Sequence, residues 1–125
     1  PDRSSWYKRF VDLGLEKRDG GVTVLNLPRI PLDTAFVREF AADVGALLTD
    51  RPRLVIDLKQ LLFIDSSGVG ALVNALTVAR KAGGDIKLAN VPPHVRGVLE
   101  VVRLDKLFAS FGSVDEAVAD YASAG

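Results

Sequence analysis

The chain has 125 residues, a length that predicts one domain, and its 48% hydrophobic and 26% charged content is ordinary for a globular protein with a real core. Sixteen basic and 16 acidic residues give zero formal net charge, which argues against nucleic acid as the main partner. The absence of cysteine excludes disulfide and thiolate chemistry, and the single histidine, His94, rules out a multi-histidine metal site. No apolar run approaches the ~20 residues that span a bilayer, and no signal-peptide pattern opens the chain, so a cytoplasmic protein without a membrane span is expected.

In chain order, residues 1–13 mix Trp6, Tyr7 and Phe10 with Lys8, Arg9 and Asp12, and read as an arm or short helix outside a domain spanning 14–125. Leu15–Asp19 and Val22–Leu27 flank Gly20-Gly21, the pattern of two short strands around a tight turn. Pro28 and Pro31 interrupt regular structure. Asp33 is placed to cap a helix bearing Phe36, Phe40, Val44, Leu47 and Leu48, which Arg51-Pro52 ends. Leu54–Leu58 is a β-branched run, a buried strand. A helix should run from the Asp65-Ser66-Ser67-Gly68 turn to about Lys81, burying Val69, Leu72, Val73 and Leu76, and Gly83-Gly84 stops it. Ile86–Ala89 reads as a strand, and Pro92-Pro93 opens a helix with Val95, Val98, Leu99 and Val102 facing inward. Ser113 with Glu116 forms a capping box for a last helix carrying Val114, Ala117, Val118 and Tyr121. Strands alternating with helices after a hairpin predict an α/β fold with parallel strands at its centre.

In such sheets functional groups gather where strands feed helix N-termini, and the Asp65-Ser66-Ser67-Gly68 turn stands at such a place. The first N–H groups of a helix have no intrahelical partner, so the turn suits a plain cap, an anion cradle or a serine that carries phosphate. Ser66 followed by Ser67 offers two hydroxyls where one cap suffices, and Gly68 and Gly70 leave the first turn without side chains. The N–H groups of Ser67, Gly68 and Val69 are then expected beside the Ser66 hydroxyl, free to receive an anion. Gly70, Asn74, Thr77 and Lys81 recur on a second face, where Gly70 and Asn74 should be exposed. Asp57 and Asp65 are read as a strand-end and a capping carboxylate rather than a Mg²⁺ pair. His94 is read as solvated at a helix start. The Gly-x-Ser-x-Gly elbow is absent, and Gly83-Gly84 lacks the Lys-Ser/Thr of a phosphate loop, so neither an enzyme nor a cofactor is expected.

The segment Arg53–Gly70, then Lys81-Ala82-Gly83-Gly84 and Leu104-Asp105-Lys106-Leu107-Phe108, resembles the STAS domain of bacterial anti-sigma factor antagonists. The resemblance implies a small mixed β-sheet with helices packed largely on one side. It also implies phosphorylation at Ser66 by an anti-sigma factor that is a serine protein kinase. The unphosphorylated form binds that partner and releases the sigma factor, and a PP2C-type, metal-dependent phosphatase resets the switch. The partner-facing residues implied are Asp65, Ser66, Ser67, Gly68, Gly70, Asn74 and Asp33. Family members carry Gly-x-Leu-Asp before the first long helix; here Pro28 takes the glycine position, Pro31 the aspartate position, and Asp33 is the candidate substitute. STAS domains also serve as scaffolds or accessory subunits of signalling and transport assemblies. In that alternative Ser66 is only a helix cap.

Overall fold

The computed structural model describes residues 14–124, so the arm expected at 1–13 lies outside them. Within that span the chain forms β1 (Leu15–Arg18), β2 (Val22–Asn26), α1 (Val37–Gly45), β3 (Arg53–Asp57), α2 (Ser66–Lys81), β4 (Asp85–Ala89), α3 (Pro93–Val101), β5 (Ala109–Phe111) and α4 (Val114–Ala124). The strands lie side by side in chain order. β1 and β2 are an antiparallel hairpin, and β2 through β5 are parallel. The hairpin turn needs two left-handed residues in succession, and Gly20 (φ 81°) and Gly21 (φ 74°) supply them.

Both faces of the sheet are covered. One packs under α1, α2 and α3, where Leu25, Leu54, Ile56, Phe40, Leu72 and Leu88 are buried. On the other, α4 lays Ala117 and Tyr121 onto Val22, Val24, Val55 and Ala89. This two-sided cover is why Leu54, Val55 and Ile56 are all apolar without alternation. α2 ends as expected at Gly83 (φ 85°), with Gly83 N–H bonded to Arg80 O and Gly84 N–H to Ala79 O.

The structure moves four expectations. Asp33 does not cap α1: its carboxylate accepts from Ala35 N–H at 2.9 Å, closing a turn, and the α-helix starts only at Val37 and ends at Gly45. β5 is a strand that the sequence did not suggest, because three residues are too few to show a period. The capping box is half-formed: Ser113 Oγ accepts from Glu116 N–H at 3.1 Å, but the Glu116 carboxylate accepts from Gly112 N–H instead. Val73 and Val98 are only partly buried, and Val102 is 47% exposed. These three side chains prove to share one surface.

Candidate functional site

After β3 the chain turns through Lys59, whose N–H donates to the Asp57 carboxylate at 2.9 Å; Asn90 donates to the same oxygen at 3.1 Å. Residues 62–65 then run beside 30–32 as a short parallel ribbon. Leu62 N–H donates to Ile30 O at 3.0 Å, Leu32 N–H to Phe63 O at 2.9 Å and Asp65 N–H to Leu32 O at 3.4 Å. The ribbon asks nothing of the nitrogen at position 31, so Pro31 fits without breaking a bond. It also seats Leu32 under the start of α2, against Gly68. The carboxylate of Asp33, the next residue, bonds only locally among the described residues, to Ala35 N–H.

Asp65 is extended (φ −112°, ψ −173°) and is the N-cap of α2. One of its oxygens accepts from Gly68 N–H at 3.0 Å and from the Ser67 hydroxyl at 2.6 Å. Those bonds, the Ser67 hydroxyl foremost, hold the Asp65 carboxyl below its ordinary range. The backbone carbonyl of Asp65 accepts from Val69 N–H at 2.9 Å. The cap is therefore Asp65 and not Ser66. Gly68 N–H and Val69 N–H are engaged, contrary to the expectation that they wait for an anion. Gly68 is buried rather than open to a partner: a Cβ there would stand 2.0 Å from Leu32 O. Gly70 and Asn74 are exposed, as expected, and nothing lies within 4 Å of a Cβ built on Gly70.

The two serines thus have different environments. Ser67 is half-buried with its hydroxyl held by Asp65. Ser66 is exposed, and its hydroxyl makes no hydrogen bond among the described residues. It stands at the end of a groove of about 520 Å³ between α2 and α3. Val69 and Val73 of α2 face Val98, Val102 and Leu104 across the groove, and Gly70, Asn74 and Thr77 also line it. The α3 side escaped sequence reading; its available signal was the adjacent pair Val101-Val102, which one helix stripe cannot bury together. Leu62 and Phe63, 43% and 47% exposed, add apolar surface just upstream of Asp65. His94 is exposed on the first turn of α3. Among the described residues no three His, Asp or Glu side chains gather as a metal site, and no helix is long and apolar enough to cross a membrane.

The lowered Asp65 carboxyl has a measurable consequence. A carboxyl with a depressed folded-state pKa adds stability that is complete above its unfolded value, about 4, and is lost as pH falls through the folded value. Asp65→Asn keeps a capping oxygen but removes the charge. Melting curves of the two proteins should therefore differ at pH 7 and draw together as pH falls below the ordinary carboxylate range. A gap that persists unchanged at low pH would mean that the charge at position 65 is not the source.

Residues 16–117 match the model of the STAS domain family. A STAS-domain-containing protein of Pseudomonas aeruginosa is 39% identical over 59 residues, 45% of this chain and 55% of that protein. An anti-sigma F factor antagonist of Paenibacillus polymyxa is 33% identical over 54 residues, 43% of this chain and 46% of that one. The chain spans about half the length of the curated relatives it matches. Among solved structures, an anti-sigma factor antagonist from Mycobacterium paratuberculosis superposes with a TM-score of 0.74 at 27% identity, over 86% of this chain and 90% of that one. The Bacillus cell fate determinant SpoIIAA in its phosphorylated form gives 0.62 at 25% identity, over 85% and 96%. With the fold, the ribbon and the Asp-Ser-Ser-Gly turn in agreement with a match over most of its length, the chain belongs to the STAS domain family.

Proposed function

We propose that this protein is a phosphorylation-controlled antagonist of an anti-sigma factor. In its unmodified form it binds that partner through the α2–α3 groove, and it is switched off by phosphate on Ser66. The observation that carries the reading is the contrast between the serines: Ser67 is held by Asp65, whereas the Ser66 hydroxyl is exposed and, among the described residues, unbonded at the end of an apolar groove. Its likeness to an anti-sigma F factor antagonist and to a phosphorylated relative supports the same reading. The kinase is the anti-sigma factor itself, and a PP2C-type phosphatase restores binding.

A phosphate on Ser66 adds about −1.5 to −2 charges near neutral pH. Because Asp65 engages the nearest helix donors, Gly68 N–H and Val69 N–H, the phosphate stays in solvent at the groove end. Burying it under an apolar partner then carries a desolvation penalty, and ~2.7 kcal/mol already weakens binding a hundredfold.

Incubation with a serine-kinase anti-sigma factor and ATP, followed by mass spectrometry, tests the assignment. Trypsin releases the segment between Lys59 and Arg80, which holds Ser66, Ser67 and Thr77. Fragment ions should place the phosphate on Ser66. Phosphate confined to Ser67 or to a threonine would sink it.

A further inference from the structure

The other end of the sheet carries a second cavity, of about 310 Å³. Register explains its walls. Arg53 pairs with Asp85 and Val55 with Lys87, so Arg53, Asp85 and Lys87 project on the same face as Val55, which packs against α4. Tyr121 of α4 closes one side. Its hydroxyl accepts from Leu54 N–H at 3.1 Å and lies 2.8 Å from the carbonyl oxygens of Leu54 and Asp85. Burial, then the neighbouring Asp85, pushes that phenol far above its ordinary value, so the wall is neutral. At the base, a Cβ on Gly84 would stand 2.0 Å from Pro52 O, so the glycine turn presents only backbone.

Three cations, Arg51, Arg53 and Lys87, line this space against one carboxylate, Asp85. Lys87, 6% exposed, is paired with Asp120 and lies 4.5 Å from the Tyr121 ring centre. Asp85 accepts from Ile86 N–H and pairs with Arg80 at 3.4 Å. The two arginines have no such partner. Among the described residues neither guanidinium meets a carboxylate, and Arg53 donates only to Gly20 O at 3.1 Å. Arg51 is also held on left-handed backbone (φ 53°), directly after Asp50 (φ 43°), a conformation that residues other than glycine rarely adopt. Its N–H donates to Ala82 O at 2.8 Å, and its Cγ lies 3.3 Å from the position of a Cβ on Gly83. The fold thus fixes the backbone and stem of an exposed arginine, uncompensated among the described residues, at the cavity.

We propose that this cavity binds a small molecule through a phosphate group. Two unmatched guanidiniums suit the roughly −1.5 to −2 charges of a phosphate monoester better than the single charge of a carboxylate. Guanidinium forks engage phosphate oxygens in pairs. The volume is at the small end of ligand sites, about 300 to 1,000 Å³, and leaves room for a body beyond the phosphate. The site is the length of β3 away from the Ser66 end, about 17 Å, and does not depend on the switch proposed there.

The test is an amide-shift titration of the ¹⁵N-labelled full chain with inorganic phosphate, adenosine monophosphate and acetate at constant ionic strength. Saturable shifts should appear at Arg53, Gly83, Gly84 and Lys87, with acetate at least tenfold weaker than phosphate. Tighter binding of the monophosphate assigns an organic phosphate; equal affinity assigns the free ion. Arg51→Gly is the decisive variant, because glycine suits φ 53° and removes the guanidinium without strain. It should melt no lower than the parent and bind at least tenfold more weakly. Arg53→Gln, checked for melting in the same way, should lose a similar factor. Absence of saturable shifts, acetate binding as well as phosphate, or undiminished binding by Arg51→Gly would each overturn the proposal.

Discussion

Gly68→Ala should destabilise the domain by about 3 kcal/mol, lowering its melting temperature by roughly 10 °C. The argument is steric. A Cβ on Gly68 would lie 2.0 Å from Leu32 O, 2.9 Å from Leu32 C and 2.7 Å from Ile64 Cγ1. Two of those atoms are backbone and cannot rotate away, so the 30–32 ribbon or the start of α2 must shift. Overpacking alone costs roughly 1–3 kcal/mol. The shift also strains the bonds that Leu32 makes with Phe63 and Asp65, each worth about 0.5–1.5 kcal/mol. Gly70→Ala, two residues on, should have the opposite sign. Among the described residues nothing lies within 4 Å of its Cβ, and alanine is favoured over glycine in a helix by roughly 1 kcal/mol. Paired thermal melts decide it; a Gly68→Ala protein as stable as its parent would show that α2 and the ribbon are not in the contact described.

That contrast also marks how far the sequence could be read. The hairpin was legible because Gly20-Gly21 between two apolar runs has few other uses. β3 was legible because a strand covered on both faces becomes a continuous apolar run, Leu54-Val55-Ile56. β4, interrupted by Lys87, was legible from Ile86, Leu88 and Ala89 directly after the Gly83-Gly84 stop. Strand-to-helix order, the position of the Ser66 turn and the exposure of Gly70 and Asn74 followed from local chemistry and period. Properties set by contacts distant in sequence did not. Gly68 and Gly70 look alike in sequence, yet one is pressed against Leu32 and the other faces open space. Asp65, Ser66 and Ser67 can each cap a helix, and only the geometry shows Asp65 bonding Gly68 and holding Ser67. Val73, Val98 and Val102 satisfy a helical period, so they were expected in the core. They line a groove instead, because the faces they occupy meet no further element of the chain among the described residues. A period shows that residues share a face; it does not show that this chain covers the face.

Ser66→Asp should fold and melt within a degree or two of the parent while binding the proposed anti-sigma partner at least a hundredfold more weakly, a loss of ~2.7 kcal/mol. The fold is insensitive because Ser66 is exposed and its hydroxyl has no hydrogen bond among the described residues. A negative charge on the first turn of α2 also agrees with the helix dipole, by ~0.3–1 kcal/mol. Binding is sensitive because the new carboxylate lies at the end of the apolar groove, where docking would strip its water. Ser66→Ala should bind like the parent, resist the kinase and lose no stability, since the cap belongs to Asp65. Asp65→Ala provides the contrast: it should melt measurably below the parent, because it removes the acceptor of the Gly68 bond. Calorimetry for binding and thermal melting for stability separate these effects on one set of four proteins. If Ser66→Asp binds as tightly as Ser66→Ala, position 66 does not gate the groove. Constitutive docking, the scaffold alternative that the resemblance also allows, then accounts better for the protein. If Ser66→Asp unfolds instead, the hydroxyl has a structural role that its exposed position among the described residues does not account for.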